Sequence, residues 1–160
     1  NGKNCKPKVT VRNSNGKKLK VDVDYTITYP VDMTNIGIKN IIINGKGNYT
    51  GNVTVEYGIA EKVTVKKASI KKVKNSKAKT VTFEAKKVSG ADGYEISYST
   101  SKKFTKDTTK VVESKKTKKT IKKLTKGKTY YFKVRAYKVN SIGRKIYGKA
   151  SSVKKVKIKK

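Results

Sequence analysis

Histidine and tryptophan are absent from this 160-residue chain, which has one cysteine, one methionine and two prolines. Without histidine, the commonest general base and the commonest transition-metal ligand are both missing. Cys5 has no imidazole to activate it and no second cysteine to pair with, so neither thiol catalysis nor an internal disulfide is expected. Acidic groups are also scarce, 10 against 42 basic ones. Asp22 and Asp24 could make a carboxylate pair, but their place at a strand start suits a turn or a solvent-facing role far better. No enzyme activity, metal or cofactor is expected. No apolar run approaches the length of a membrane span, so no membrane insertion is expected. No signal peptide is visible, and the chain reads as a piece of a longer protein.

What is present is lysine. The formal net charge is +32, and all but three of the 42 basic residues (Arg12, Arg135 and Arg144) are lysines. Reading base edges, or clamping phosphates in a fixed plane, favours the rigid bidentate fork of arginine. Lysine makes hydrated point-charge contacts that salt screens. The skew excludes sequence-specific nucleic-acid recognition and leaves a polyanion as a partner class.

Apolar residues are only 34% of the chain, yet short apolar runs recur about every ten residues. That pattern predicts an all-β fold made of two small modules in tandem, monomeric, with the boundary in the lysine-rich stretch 62–67. Residues 1–66 carry a net charge of +6, and residues 67–160 carry +26.

The most informative stretch is 124–136. Tyr130, Phe132, Val134 and Ala136 alternate with Tyr131, Lys133 and Arg135, which predicts a half-buried strand. Further strands are expected at 68–73, 80–88, 94–98, 110–113 and 119–124, and a last one around Val153, Val156 and Ile158. A turn is expected at 90–93, and a loop through Ser141, Gly143 and Gly148. Leu124-x-x-Gly127-x-x-Tyr130 resembles the corner that precedes such a strand in fibronectin type III domains. Val88-x-Gly90-Ala91-x-Gly93-Tyr94-x-Ile96, 127–137 and Tyr147-Gly148-x-Ala150-Ser151 resemble further segments of those modules in surface proteins of Gram-positive gut bacteria. The resemblance implies a β-sandwich over 67–160. It also implies a structural tyrosine corner, in which Tyr130 packs its ring inside and bonds its hydroxyl to the backbone. Ala85 stands where these modules commonly carry a core Trp, so Phe83, Tyr94 or Tyr130 is expected to refill that volume.

The first module is expected to hold strands at 9–12, 25–29, 38–43 and 53–59, with residues 45–51 as a turn. The glycines of that turn lack the Lys-Ser/Thr pair of a phosphate loop and lead into a strand, so they are not read as a phosphate cradle. Asp24-Tyr25-Thr26 with Gly45-x-Gly47-Asn48-Tyr49-Thr50-Gly51 resembles a short repeat of the same large surface proteins, which implies an Ig-like or β-grasp-like fold.

Two sets of residues could form a binding site. Lys115, Lys116, Lys118, Lys119, Lys122 and Lys123 crowd one strand and its approach. They read either as a solvated, edge-protecting face or as a footprint for an anionic glycan or cell-wall polymer. Tyr131 and Tyr137 should point outward if Tyr130 points inward, and Tyr147 lies in an adjoining loop; tyrosines beside charges make good protein-binding anchors. A lysine near an Asn and an acidic residue could also form an intramolecular isopeptide bond. The family resemblance implies an extracellular location on a bacterial cell surface and a host protein partner such as immunoglobulin or mucin. The alternative is a spacer whose lysines touch anionic wall polymers or sulfated glycans.

Overall fold

Strand alternation accounts for nearly all of the architecture in the computed structural model, which describes residues 3–159. Among the described residues every regular element is a strand apart from a single 3-10 turn at Lys106–Thr108. The chain divides into two units, residues up to Lys62 with Ser141–Gly143, and Val63–Asn140 with Arg144 onwards.

In the first unit β1 (Tyr25–Thr28), β2 (Gly37–Gly45) and β3 (Asn52–Ile59) form an antiparallel sheet in that order. Ile43, Ile27 and Val53 lie opposite one another on the face that also carries Ile41 and Tyr25. Leu19, Tyr25, Ile41 and Ile59 are its buried core. The glycine-rich segment is the β2–β3 turn, closed by the Gly45 N–H donating to Gly51 O at 2.9 Å. A Cβ at Gly45 would stand 2.7 Å from Tyr49 O, so only glycine fits there. The acidic residues serve this turn's surroundings: Asp24 Oδ2 accepts the Lys20 N–H at 2.8 Å, and Asp24 O accepts the Lys46 N–H at 2.9 Å. The expected strand at 9–12 is reduced to one isolated bridge, Arg12 with Lys18, across a turn at Gly16. No described residue of this unit is helical.

The second unit is a sandwich of two antiparallel sheets. One runs β4 (Ile70–Lys77), β5 (Thr80–Ala85), β8 (Lys118–Ile121). The other contains β6 (Gly93–Ser99), β7 (Thr109–Ser114), β9 (Thr129–Val139), β10 (Lys145–Tyr147) and β11 (Lys154–Lys157), in the order β10–β9–β6–β7, with β11 also paired to β9. Val81, Phe83, Ile96, Phe132, Val134 and Ile158 are essentially inaccessible between the sheets. Full burial of side chains of this kind contributes about 1.5–3 kcal/mol each. Aromatic rings cluster in the core between the sheets. Phe83 and Phe132 are 6.2 Å apart, Tyr98 stacks on Phe132 at 5.9 Å, and Tyr130 meets Tyr98 at 6.4 Å. Tyr94 is buried in the same core, its hydroxyl accepting the Val88 N–H at 2.8 Å.

The region expected as a loop through Ser141, Gly143 and Gly148 is a loop except for one short strand, Lys145–Tyr147. β9 runs on to Val139 and turns back at once, with Asn140 donating to Arg144 O at 2.9 Å and Gly143 at φ 75°. The last strand therefore comes in two pieces. Tyr147 pairs with Tyr137 and Lys154 with Phe132, so residues 148–153 bulge opposite 133–136. Ser151 bridges this gap: its N–H donates to Val134 O at 2.8 Å and its hydroxyl accepts the Val134 N–H at 3.1 Å.

Both edges of the three-stranded sheet are guarded against pairing with another chain. β4 carries two register shifts and a run of lysines. On β8, Lys119 lies opposite Phe83, on the inward face beside Ile121. Bulges and inward charges are the usual means of blocking an edge.

Candidate functional site

The outer face of the five-stranded sheet carries an array of alternating charges and rings. Glu95 on β6 lies opposite both Arg135 on β9 and Glu113 on β7. Two like charges facing each other across strands are unfavourable, and each is neutralised by its own cation. Arg135 Nε and Nη2 donate to the two Glu95 oxygens at 2.8 and 3.2 Å. Lys145 Nζ reaches across the sheet to both Glu113 oxygens at 2.6 Å. The hydrogen bond to Glu95 raises the Arg135 pKa, and the bond to Glu113 raises that of Lys145. Arg135 also lies over the Tyr147 ring at 3.7 Å, and Tyr147 meets Tyr137 edge-on with centroids 5.9 Å apart. Partial burial, followed by the nearby Glu95, raises the Tyr147 pKa.

This array corrects one expectation. Tyr137 does lie on the outer face, but it is only 5% exposed and is no open anchor. Gly93 opposite it leaves room for the ring to lie down on the sheet, and Tyr147 and Lys145 close over it. Tyr147 is half-buried under Arg135, and Tyr131 is half-buried between Ser99 and Lys155 on the neighbouring strands. The three tyrosines are not one exposed patch.

Tyr130 makes a corner. Its ring packs on the core and its hydroxyl accepts the Thr125 N–H at 3.2 Å. The bond ties the start of β9 to the turn at Gly127 (φ 82°), whose N–H donates to Ile158 O at 2.8 Å.

The six clustered lysines separate into three settings. Lys115, Lys116 and Lys118 line a shallow cleft with Lys87 and Tyr94. Lys122 and Lys123 line a different one with Tyr98, Lys110 and Asp107. Lys119 is half-buried at the sheet edge between them. Tyr98 and Lys110 went unrecognised as site residues because alternation marks Tyr98 only as core and Lys110 only as part of an edge strand. Their direct pairing across β6 and β7 is what brings them together.

No group of three or more Cys, Asp or Glu side chains among the described residues could hold a metal ion. In the first unit Lys39 Nζ lies 2.6 Å from Asp32 Oδ2. The Asn35 N–H, then the Lys39 ammonium and the Thr34 N–H, hold the Asp32 carboxyl well below its ordinary range. This contact is an ion pair.

Two antiparallel sheets packed face to face, closed by a tyrosine corner and bearing a cross-strand array on one outer face, define an Ig-like β-sandwich module. The chain belongs to the fibronectin type III family, whose profile, described as Fibronectin type III domain, matches residues 61–150. Among solved structures it is similar to the chicken CNTN1 FN1–FN3 domains, with 16% identity and a TM-score of 0.51 over 78% of this chain and 43% of that one. It is also similar to the sixth fibronectin type III domain of human fibronectin type III domain containing protein 3, with 14% identity and a TM-score of 0.47 over 62% and 91% of the two chains. Rat CD45 domains d3–d4 match with 13% identity and a TM-score of 0.45 over 95% and 78%. At such identities the likeness concerns the fold alone. No curated protein matches the sequence. Domains of this family are typically non-catalytic structural or binding modules.

Proposed function

We propose that the chain is a non-catalytic part of an extracellular bacterial cell-surface protein, and that it binds an acidic host macromolecule, a sulfated or sialylated mucin-type glycoprotein, through its lysines. The observation that carries this reading is the state of those lysines. Among the described residues, the ion pairs engage only Lys39, Lys71, Arg135 and Lys145. Most of the remaining lysines are exposed and make no ion pair, which leaves them available to an external polyanion. An aromatic-anchored protein contact, as to immunoglobulin, is less favoured because Tyr137 is buried and Tyr147 is covered by Arg135.

A second reading has its own support. The guarded edges of the β4–β5–β8 sheet suit a module that sits in series without pairing with its neighbours, a spacer whose lysines touch anionic wall polymers. The two readings part on the target. Purified chain is offered native mucin, the same mucin stripped enzymatically of sulfate and sialic acid, and isolated wall polymer. Retention on native mucin alone supports host recognition, whereas retention on wall polymer alone supports the spacer.

A further inference from the structure

One end of the sandwich is open. Tyr98, the last inward residue of β6, packs its ring on Phe132 and Tyr130 in the core. It is only 8% exposed, and its hydroxyl has no hydrogen-bond partner among the described residues. That hydroxyl is not sealed in, since among the described residues only the Tyr57 hydroxyl is buried without a partner. Tyr98 lines a cleft of about 370 Å³, at the small end of volumes that hold small ligands.

The walls of the cleft come from both sheets. Lys110 stands directly opposite Tyr98 on β7, on the same sandwich-facing side. Lys122 and Lys123 follow the end of β8, between the buried Ile121 and Leu124. Lys123 is held at φ 59°, a left-handed conformation unusual for a side chain of this size. The Leu124 N–H donates to Lys79 O at 3.0 Å and keeps that bend in place. None of the three lysines has an ion pair or side-chain hydrogen bond, and Asp107 is the one carboxylate in the lining. Burial, and then the neighbouring Tyr130, raises the Tyr98 pKa, which keeps its hydroxyl protonated and able to donate.

We infer that this cleft is a subsite for one acidic sugar residue: Tyr98 and the ammoniums of Lys110, Lys122 and Lys123 take its sulfate or carboxylate, and Asp107 accepts from its hydroxyls. Three cations and a neutral donor fit an anion. The carboxylate in the same cleft favours an anion that also carries hydroxyl groups over a bare ion. The inference rests on the reading of the chain as an acidic-glycan binder and gives that binder a specific site.

The test is a heteronuclear NMR titration of the whole chain with galactose 6-sulfate, N-acetylneuraminic acid and neutral galactose, alongside binding to intact mucin. Saturable shifts confined to the amides around Tyr98, Lys110 and Lys123 are expected with the sulfated or the carboxylated sugar, and which of the two responds identifies the acid group. Neutral galactose should give none. Tyr98→Phe keeps the ring in the core and should weaken binding about tenfold, the size of one hydrogen bond to a charged group. Thr54→Ala, on the exposed side of β3 in the first unit, should leave it unchanged. Equal binding by Tyr98→Phe, or shifts spread over all lysine-bearing strands, overturns the cleft. If the monosaccharides fail while mucin still binds, the cleft is wrong and the wider reading stands. If mucin fails as well, both are wrong.

Discussion

Tyr137 lies across Gly93 on the facing strand so closely that a Cβ at position 93 would stand 2.5 Å from its ring. The ring has nowhere to retreat, because Tyr147 meets it edge-on and Lys145 lies over it at 4.9 Å on the way to Glu113. Gly93→Ala should therefore lift Tyr137 and loosen the array above it. Overpacking of this kind costs about 1–3 kcal/mol. A drop of several degrees in the melting temperature is expected, and an unchanged one would mean that the ring moves freely.

Tyr130 offers a narrower measurement. Tyr130→Phe keeps the ring against Tyr98 but takes away the acceptor of the Thr125 N–H. A loss of about 0.5–1.5 kcal/mol is expected in denaturant unfolding, with an unchanged m-value.

Much of this was legible in advance, and the exceptions share a cause. Period-two alternation placed β9 and β6 with their apolar faces, since inward residues such as Phe132, Val134 and Ile96 repeat strictly. The ring cluster of Phe83, Tyr98, Tyr130 and Phe132 needed the tertiary fold, because it joins side chains from three strands. Tyr137 obeys alternation and is nonetheless buried, because its cover comes from Gly93, Tyr147 and Lys145 on two other strands. The split last strand escaped notice because Lys145–Tyr147 is short and its pairing depends on the tight return at Asn140 and Gly143. Proximity along the chain grouped Lys118 with Lys122, whereas the fold sends them to different clefts.

Lys119 tests the edge argument. Its charge points to the sandwich-facing side of β8, opposite Phe83. Lys119→Val should leave the sandwich as stable or slightly more so, yet expose an edge that can pair with a second copy. Size-exclusion chromatography with light scattering is expected to show concentration-dependent association for the variant alone.

Asp32 governs part of the acid response of the first unit. Its folded pKa is depressed below the ordinary value of 3.8, so its contribution is complete above that value and is lost as pH falls through the folded one. Asp32→Asn should flatten the pH dependence of stability below about pH 4 and change little near neutrality. A wild-type acid limb equal to that of the variant would mean that the Lys39 and backbone contacts contribute nothing.

The most direct test of the account is binding of the chain to native mucin across a salt series, with desulfated, desialylated mucin as the control. If unpaired lysines are the recognition element, binding is saturable at low ionic strength, falls steeply as salt rises, and is absent on the stripped mucin. Binding that survives both high salt and removal of the acidic groups would contradict it, and would move recognition to the half-covered tyrosines Tyr131 and Tyr147.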